Sequence, residues 1–196
     1  MIVPSPRPLM LGALLPLAAC VSFGPKPPKA LLTLTPATTI PVGQSQSSVA
    51  ARSIVIQVPS TSAALATTRI PVQATPTTLA YVQDVAWSEP PARLFARLLS
   101  DTLTANGTVV LSGVQSVDSP AGNLAGELRQ FGFDNASRNA VVTFDAVLTR
   151  GGQSAVEKRR FEVRVPVATI DAATAGTALN DAANQAAAQV SSWVGQ

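Results

Sequence analysis

Histidine is absent from the 196 residues, and cysteine and tyrosine occur once each. Without histidine, neither a Ser-His-Asp nor a Cys-His catalytic unit can be assembled. The commonest metal ligand is missing with it, and a lone cysteine supplies neither a zinc cluster nor an internal disulfide. Absence of histidine does not exclude every enzyme, since paired carboxylates can work alone, but the 11 acidic residues are widely scattered. The densest cationic cluster is Lys158-Arg159-Arg160, inside a strand-like segment, and the formal charge is only +3, which argues against a nucleic-acid partner. No Gly-x-x-x-x-Gly-Lys loop is present, so ATP hydrolysis of the Walker type is excluded. The chain reads as non-catalytic, and no cofactor is implied.

The first 19 residues have the layout of a signal segment. Arg7 supplies a positive start, and Leu9 to Leu17 is an apolar run interrupted only by Gly12 and Pro16. That run is too short to cross a bilayer, which needs ~20 apolar residues. Leu17-Ala18-Ala19-Cys20 follows, with small residues ahead of the only cysteine. This is the lipobox arrangement of bacterial lipoprotein precursors. It predicts cleavage before Cys20 and lipid on its sulfur. Val21 stands where an aspartate would signal inner-membrane retention, so the expected location is the periplasmic face of the outer membrane. An ordinary signal peptide with an incidental cysteine is the competing reading. Residues 20–29 then form the lipidated cysteine and a Pro-rich tether, and residues 30–196 a single domain of ordinary size. Loss of Arg7 with the signal lowers the formal charge from +3 to +2.

Alternation and β-branching predict short strands at Ala30–Pro36, Ser53–Pro59, Arg69–Ala74, Thr77–Val82 and Thr108–Leu111. Residues 37–52 and 112–120 read as loops, and Ser60–Ala66 as one helical turn. A helix is expected after Trp87, with Ser88 as N-cap and Pro90 or Pro91 in its first turn. Leu94, Phe95, Leu98, Leu99 and Leu103 make its apolar face, and Asn106-Gly107 its stop. Three longer strands follow. In Asn123–Phe133, Leu124 and Leu128 fall on one face, with Phe131 and Phe133 on the other. Asn139–Arg150 and Ala155–Val167 alternate cleanly and form a hairpin through Gly151-Gly152. Asp171–Val194 is an Ala-rich amphipathic helix whose stripe of Leu179, Ala182, Ala183, Ala186, Val190, Trp193 and Val194 should pack on the sheet. The expected fold class is α+β, an antiparallel or mixed β-sheet with two main helices packed on one face.

Several of these pieces carry a resemblance: the lipobox at Cys20, Leu-Thr-Leu-Thr-Pro at 32–36, Ile-Val-Ile-Gln-Val-Pro at 54–59, Arg69-Ile70, Leu79-Ala80-Tyr81-Val82, Trp87-Ser88-Glu89-Pro90, and the helix ending at Trp193. Together they are similar to the ABC-type transport auxiliary lipoprotein family, the PqiC-like, Mce-associated lipoproteins. Two departures stand out. Ala30-Leu31 replaces a frequent pair of tyrosines, and after Pro59 only Leu65 and Arg69 remain of a Tyr-Leu-Asp/Asn-Arg pattern. The resemblance implies work beside an inner-membrane ABC permease and ATPase and an Mce-family substrate-binding protein that moves phospholipid or similar lipids between inner and outer membranes. Energy would come from that partner. Homo-oligomerisation is left open. The alternative is a lipoprotein assembly factor of an outer-membrane β-barrel, as in lipopolysaccharide export, and a third reading is an anchored envelope hydrolase.

Candidate site residues are few. Cys20 is the lipidation site. Trp87 is a core plug beside a helix start or, as second choice, a partner contact. Arg69 pairs with a carboxylate inside the fold or faces a lipid phosphate. Lys158, Arg159, Arg160 and Arg164 form either a basic strip or a solvated sheet face. The sequons Asn106-Gly107-Thr108 and Asn135-Ala136-Ser137 read as a cap and a turn.

Overall fold

The computed structural model describes residues 27–47, 53–111, 122–151 and 155–196. The signal segment, Cys20, most of the tether and the 112–120 loop lie outside these residues.

One long strand organises the sheet. Strand β8, Gly122–Asp134, pairs antiparallel with β9, Asn139–Arg150, which pairs antiparallel with β10, Val156–Pro166. The other edge of β8 is shared by three short strands, each parallel to it. They are β2 (Ser53–Ile56), β3 (Ser60–Thr61) and β4 (Pro71–Thr75). Strand β7, Val109–Leu111, extends β2, and β5, Thr78–Tyr81, folds back on β4 as a hairpin. The sheet is therefore mixed. A separate parallel pair joins β1, Ala30–Leu32, to β6, Val85–Trp87. The segment 60–66 differs from expectation. Ser60 and Thr61 pair with β8, and only Ser62–Ala66 turns, through Leu65 and Ala66 N–H groups donating to the Ser62 carbonyl.

The faces of β8 also differ from the sequence pattern. Between Leu128 and Gln130 the register with β9 slips by one residue, so Arg129 is extra and exposed. A one-residue bulge inverts the parity of everything beyond it. Leu124 and Leu128 therefore share one face with Phe131 and Phe133, and all four are buried in the same core. Ala140, Val142, Phe144, Ala146 and Leu148 of β9 join them as expected, with Phe161 and Val163 of β10.

Two helices cover this face. Helix α1 spans Pro91–Ala105, and its N-cap is Pro90 rather than Ser88. A residue preceding proline is sterically driven out of the helical region, so Pro90, before Pro91, keeps ψ 136° and the helix starts at Pro91. Ser88 instead donates its N–H to the Leu32 carbonyl at 2.8 Å. The helix ends at Asn106, followed by Gly107 at φ +86°, as the sequence predicts. Helix α2, Ala172–Val194, begins with a capping box in which Asp171 accepts from the N–H groups of Ala173 and Thr174. Its predicted stripe is buried throughout, together with Ala175, Ala178 and Ala187. Small side chains let the helix lie close to both the sheet and α1.

The outer side of α2 holds the chain that follows β1. Asn180 accepts from the Thr35 N–H at 2.8 Å, and Asn184 accepts from the Ala37 N–H at 2.7 Å and donates to the Thr35 carbonyl at 2.9 Å. These bonds stand in for a strand partner, which explains why β1 stops at Leu32 although the alternation runs to Pro36. Replacing Asn184 with alanine removes the two outermost bonds and should cost ~1–2 kcal/mol. Hydrogen exchange should then accelerate at the Ala37 amide while amides of β8 and β9 keep their protection.

Candidate functional site

The described chain enters the domain at Lys29. Its N–H donates to the Asp84 carbonyl at 2.8 Å, and its ammonium meets the Asp84 carboxylate at 2.9 Å. Asp84 sits in the left-handed region at φ 63°, just before β6. The chain leading back toward Cys20 therefore departs from one fixed place on the domain.

Trp87 is 1% exposed. Its ring meets Phe131 edge-on at 5.4 Å, and Phe131, Phe95 and Phe144 continue the aromatic chain into the sheet core. Its indole N–H finds no acceptor among the described residues. Trp87 thus fills the core and offers no surface to a partner in this structure. Trp193 does the same at the other end of the core, against Phe161.

Arg69 does not enter the fold to meet a carboxylate. It is exposed, and its guanidinium carbon lies 3.6 Å over the ring centroid of Tyr81. Tyr81 belongs to the edge strand β5. Tyr81 stands in the Leu79-Ala80-Tyr81-Val82 piece of the family resemblance, but the sequence did not single out this lone tyrosine as a site residue.

The face of the sheet away from the helices carries an ion-pair network. Arg160 forks onto both oxygens of Asp145 at 2.6 and 2.7 Å. Arg129 reaches Glu127 at 3.3 Å and Asp145 at 3.7 Å. Arg164 meets Glu162 at 2.8 Å and Asp134 at 3.4 Å. Three arginines thus face four carboxylates. Of the strip suggested by the β10 sequence, Arg160 and Arg164 are balanced by acids from β8, β9 and β10 itself, while Lys158 takes part in no ion pair among the described residues. Arg159 points to the other side, 5.2 Å from the Phe161 ring. Exposed pairs of this kind contribute ~0–1 kcal/mol each. Their consequence is a solvated sheet face on which the charges of Arg129, Arg160 and Arg164 are met by carboxylates.

The titration of this face follows its partners. Hydrogen bonds from Arg160 hold the Asp145 carboxyl below its usual value, with Arg160 and Arg129 charges adding to the effect against desolvation. Asp134 is lowered chiefly by the Ser137 hydroxyl, and the N–H groups of Ala136 and Ser137 and the charge of Arg164 help. Asp101 on α1 moves the other way, raised by burial and only partly offset by Arg97. A depressed carboxylate stabilises the fold above its unfolded value, and that contribution is lost as pH falls through the lower folded value. Asp145→Asn should therefore flatten the loss of stability below about pH 4, where an unperturbed aspartate titrates. Urea midpoints of the two proteins should converge on acidification, which a pH series of unfolding curves checks.

A polar groove of ≈ 560 Å³ runs between the β4–β5 tip (Gln73, Thr75, Pro76) and Arg129, Asp134 and Arg164. Beside it, Leu65, Pro71, Leu79, Phe131 and Phe133 line an apolar notch of ≈ 200 Å³. The notch is smaller than the ~300 Å³ at which small-molecule sites begin, and it accommodates one side chain rather than a lipid tail. Among the described residues no three His, Cys, Asp or Glu side chains are grouped so as to hold a metal ion. No helix among them is long and apolar enough to cross a membrane. Both sequons are structural. Asn106 donates to Ser191 at 2.8 Å at the end of α1, and Asn135-Ala136-Ser137 forms the β8–β9 turn around Asp134.

Residues 32–191 match the family model of the ABC-type transport auxiliary lipoprotein component. The chain belongs to that family. As an auxiliary transport lipoprotein, it is a component associated with an ABC transport system rather than the transporter itself. Solved structures share its fold. A Xanthomonas campestris protein of family DUF330 superposes with a TM-score of 0.69 at 19% identity, covering 84% of this chain and 94% of its own. A second, uncharacterized protein superposes with a TM-score of 0.63 at 17% identity, covering 73% and 92%. No curated protein matches the chain significantly. The fold shared with these structures is, in this chain, a mixed eight-stranded sheet with two helices on one face and a separate two-stranded parallel pair.

Proposed function

We propose that the chain is anchored by lipid on Cys20 to the periplasmic face of the outer membrane. There it serves as a non-catalytic accessory of an ABC-driven, Mce-type lipid transport system linking inner and outer membranes. The observation that carries this reading is family membership over residues 32–191 in a chain that also bears Leu17-Ala18-Ala19-Cys20. Val21 directs the anchor outward, and residues 20–29 are the link to the domain. The division of labour follows from the chemistry. The ATPase, the permease and the Mce protein supply energy and carry lipid. The lipoprotein supplies a fixed, rigid body at the far membrane. A filled aromatic and aliphatic core supports that role, because it gives the domain a single shape to present.

Affinity purification of the full chain from membranes in mild detergent tests the assignment. Co-recovery of an Mce-family protein or its permease is expected. Repeated recovery of a large outer-membrane β-barrel protein without either would overturn it and select the assembly-factor role.

A further inference from the structure

The pair of exposed Arg69 and half-buried Tyr81 lies on the half of the domain from which the tether departs. Tyr81 precedes Asp84 by three residues, and Asp84 clamps Lys29 through two contacts. Nine chain steps separate Lys29 from Cys20. Nine steps reach at most about 30 Å even when fully extended at ~3.3 Å per residue. Strand β8, by comparison, is about 40 Å from Gly122 to Asp134 at ~3.3 Å per residue. With the anchor at Cys20, the clamp stays closer to the lipid surface than the domain is long. Tyr81 pairs with Pro71, and Val72 pairs with Phe133, which sets Tyr81 in the Asp134 half of the sheet. Trp193 sits at the opposite end, where Arg150 donates to the neighbouring Val194 carbonyl.

The chemistry of the pair matches a lipid surface. Arg97, Arg129, Arg150, Arg160 and Arg164 are each paired with a carboxylate. Arg69, like Arg93, Arg138 and Arg159, takes part in no ion pair among the described residues, and its guanidinium carbon lies 3.6 Å over the Tyr81 ring centroid with no side-chain hydrogen bond spent among those residues. A guanidinium in that state meets phosphate oxygens through two parallel hydrogen bonds. Tyrosine, apolar in body and polar at its tip, suits the headgroup level of a membrane. Leu79, two residues earlier on the same edge strand, is 46% exposed. We propose that Arg69 and Tyr81, with Leu79 beside them, form a second contact with the phospholipid surface to which Cys20 is anchored. This contact orients the domain so that the Trp193 end faces away into the periplasm. The proposal rests on the anchor assignment.

Tyr81 is the only tyrosine, so 3-fluorotyrosine places one fluorine probe at this site. The lipidated full-length mature protein, labelled also with 5-fluorotryptophan, is reconstituted in phosphatidylethanolamine–phosphatidylglycerol vesicles. A small fraction of the lipid carries a gadolinium-chelate headgroup. Vesicle flotation first reads the anchor, and fluorine linewidths then read orientation. Loss of the Tyr81 signal with retention of the Trp193 signal is the expected result. Arg69→Glu should still float but recover the Tyr81 signal, and Arg69→Lys should recover it only in part. Flotation with equal broadening at both ends, or with none, overturns the contact and leaves the anchor intact. Failure to float removes the anchor and the contact together.

Discussion

Replacing Cys20 with alanine is expected to abolish palmitate labelling and to move the protein from the membrane pellet into the soluble fraction. Among the described residues nothing substitutes for the anchor. The Leu9–Leu17 run is far short of the ~20 apolar residues a span needs. No described helix is long and apolar enough to cross. On the open sheet face Arg129, Arg160 and Arg164 are spent on carboxylates, and the remaining Lys158 gives only a weak hold on anionic lipid. The contact proposed at Arg69 and Tyr81 is too small to retain the protein alone, since even a single acyl chain binds membranes only marginally. Fractionation with labelled palmitate checks the outcome, and a variant that stays with the membrane would contradict it.

Gly132→Ala should destabilise the domain by ~3 kcal/mol or more, a large share of the ~5–15 kcal/mol that holds a domain of this size together. A Cβ at this position would stand 2.2 Å from the Pro71 carbonyl oxygen and 2.9 Å from its ring. Neither neighbour is the free end of a flexible side chain. Pro71 is held by pairing of Val72 with Phe133 and of Pro71 with Tyr81, so relief requires parting β4 from β8. Gly43→Ala is the control, with φ +87° but nothing within 4 Å of the new atom, and its cost should stay near ~1 kcal/mol. Urea midpoints at unchanged slope measure both. Equal shifts would mean that β4 is not seated on β8 as described. Because the Arg69–Tyr81 pair depends on the same seating, Gly132→Ala should loosen that surface as well.

Much of this fold is legible in the sequence where a long segment repeats one period. The stripe of α2 from Leu179 to Val194 and the alternation of β9 from Ala140 to Leu148 emerge as read, because many residues vote for one face. The bulge at Arg129 was not legible. It carries no glycine or proline signal, and a slip of one residue makes a single buried face look like two. The parallel seating of β2, β3 and β4 on β8 was hidden for another reason. Each is 5 residues or shorter, and the strand it meets lies tens of residues away. Ser88 matched the preference for an N-cap, but consecutive prolines at 90 and 91 moved the helix start by their own sterics.

The same contrast applies to the site residues. Trp87 read as a core plug, and the edge-on contact with Phe131 bears that out. Arg69 was singled out without its partner, because its meeting with Tyr81 depends on how the 71–81 hairpin folds back. The cations of β10 looked like a strip because their acids come partly from β8 and β9, which a one-dimensional reading does not bring alongside. The proposed location, by contrast, rests on a local signal, the four consecutive residues Leu17-Ala18-Ala19-Cys20.

The most direct measurement of the account is the intact mass of the protein extracted from membranes of its producing cell. The account predicts a chain that begins at Cys20, 177 residues long after removal of 19 from 196, with the added mass of its acyl chains. A protein that retains residues 1–19, or one cleaved elsewhere and free of lipid, would contradict it.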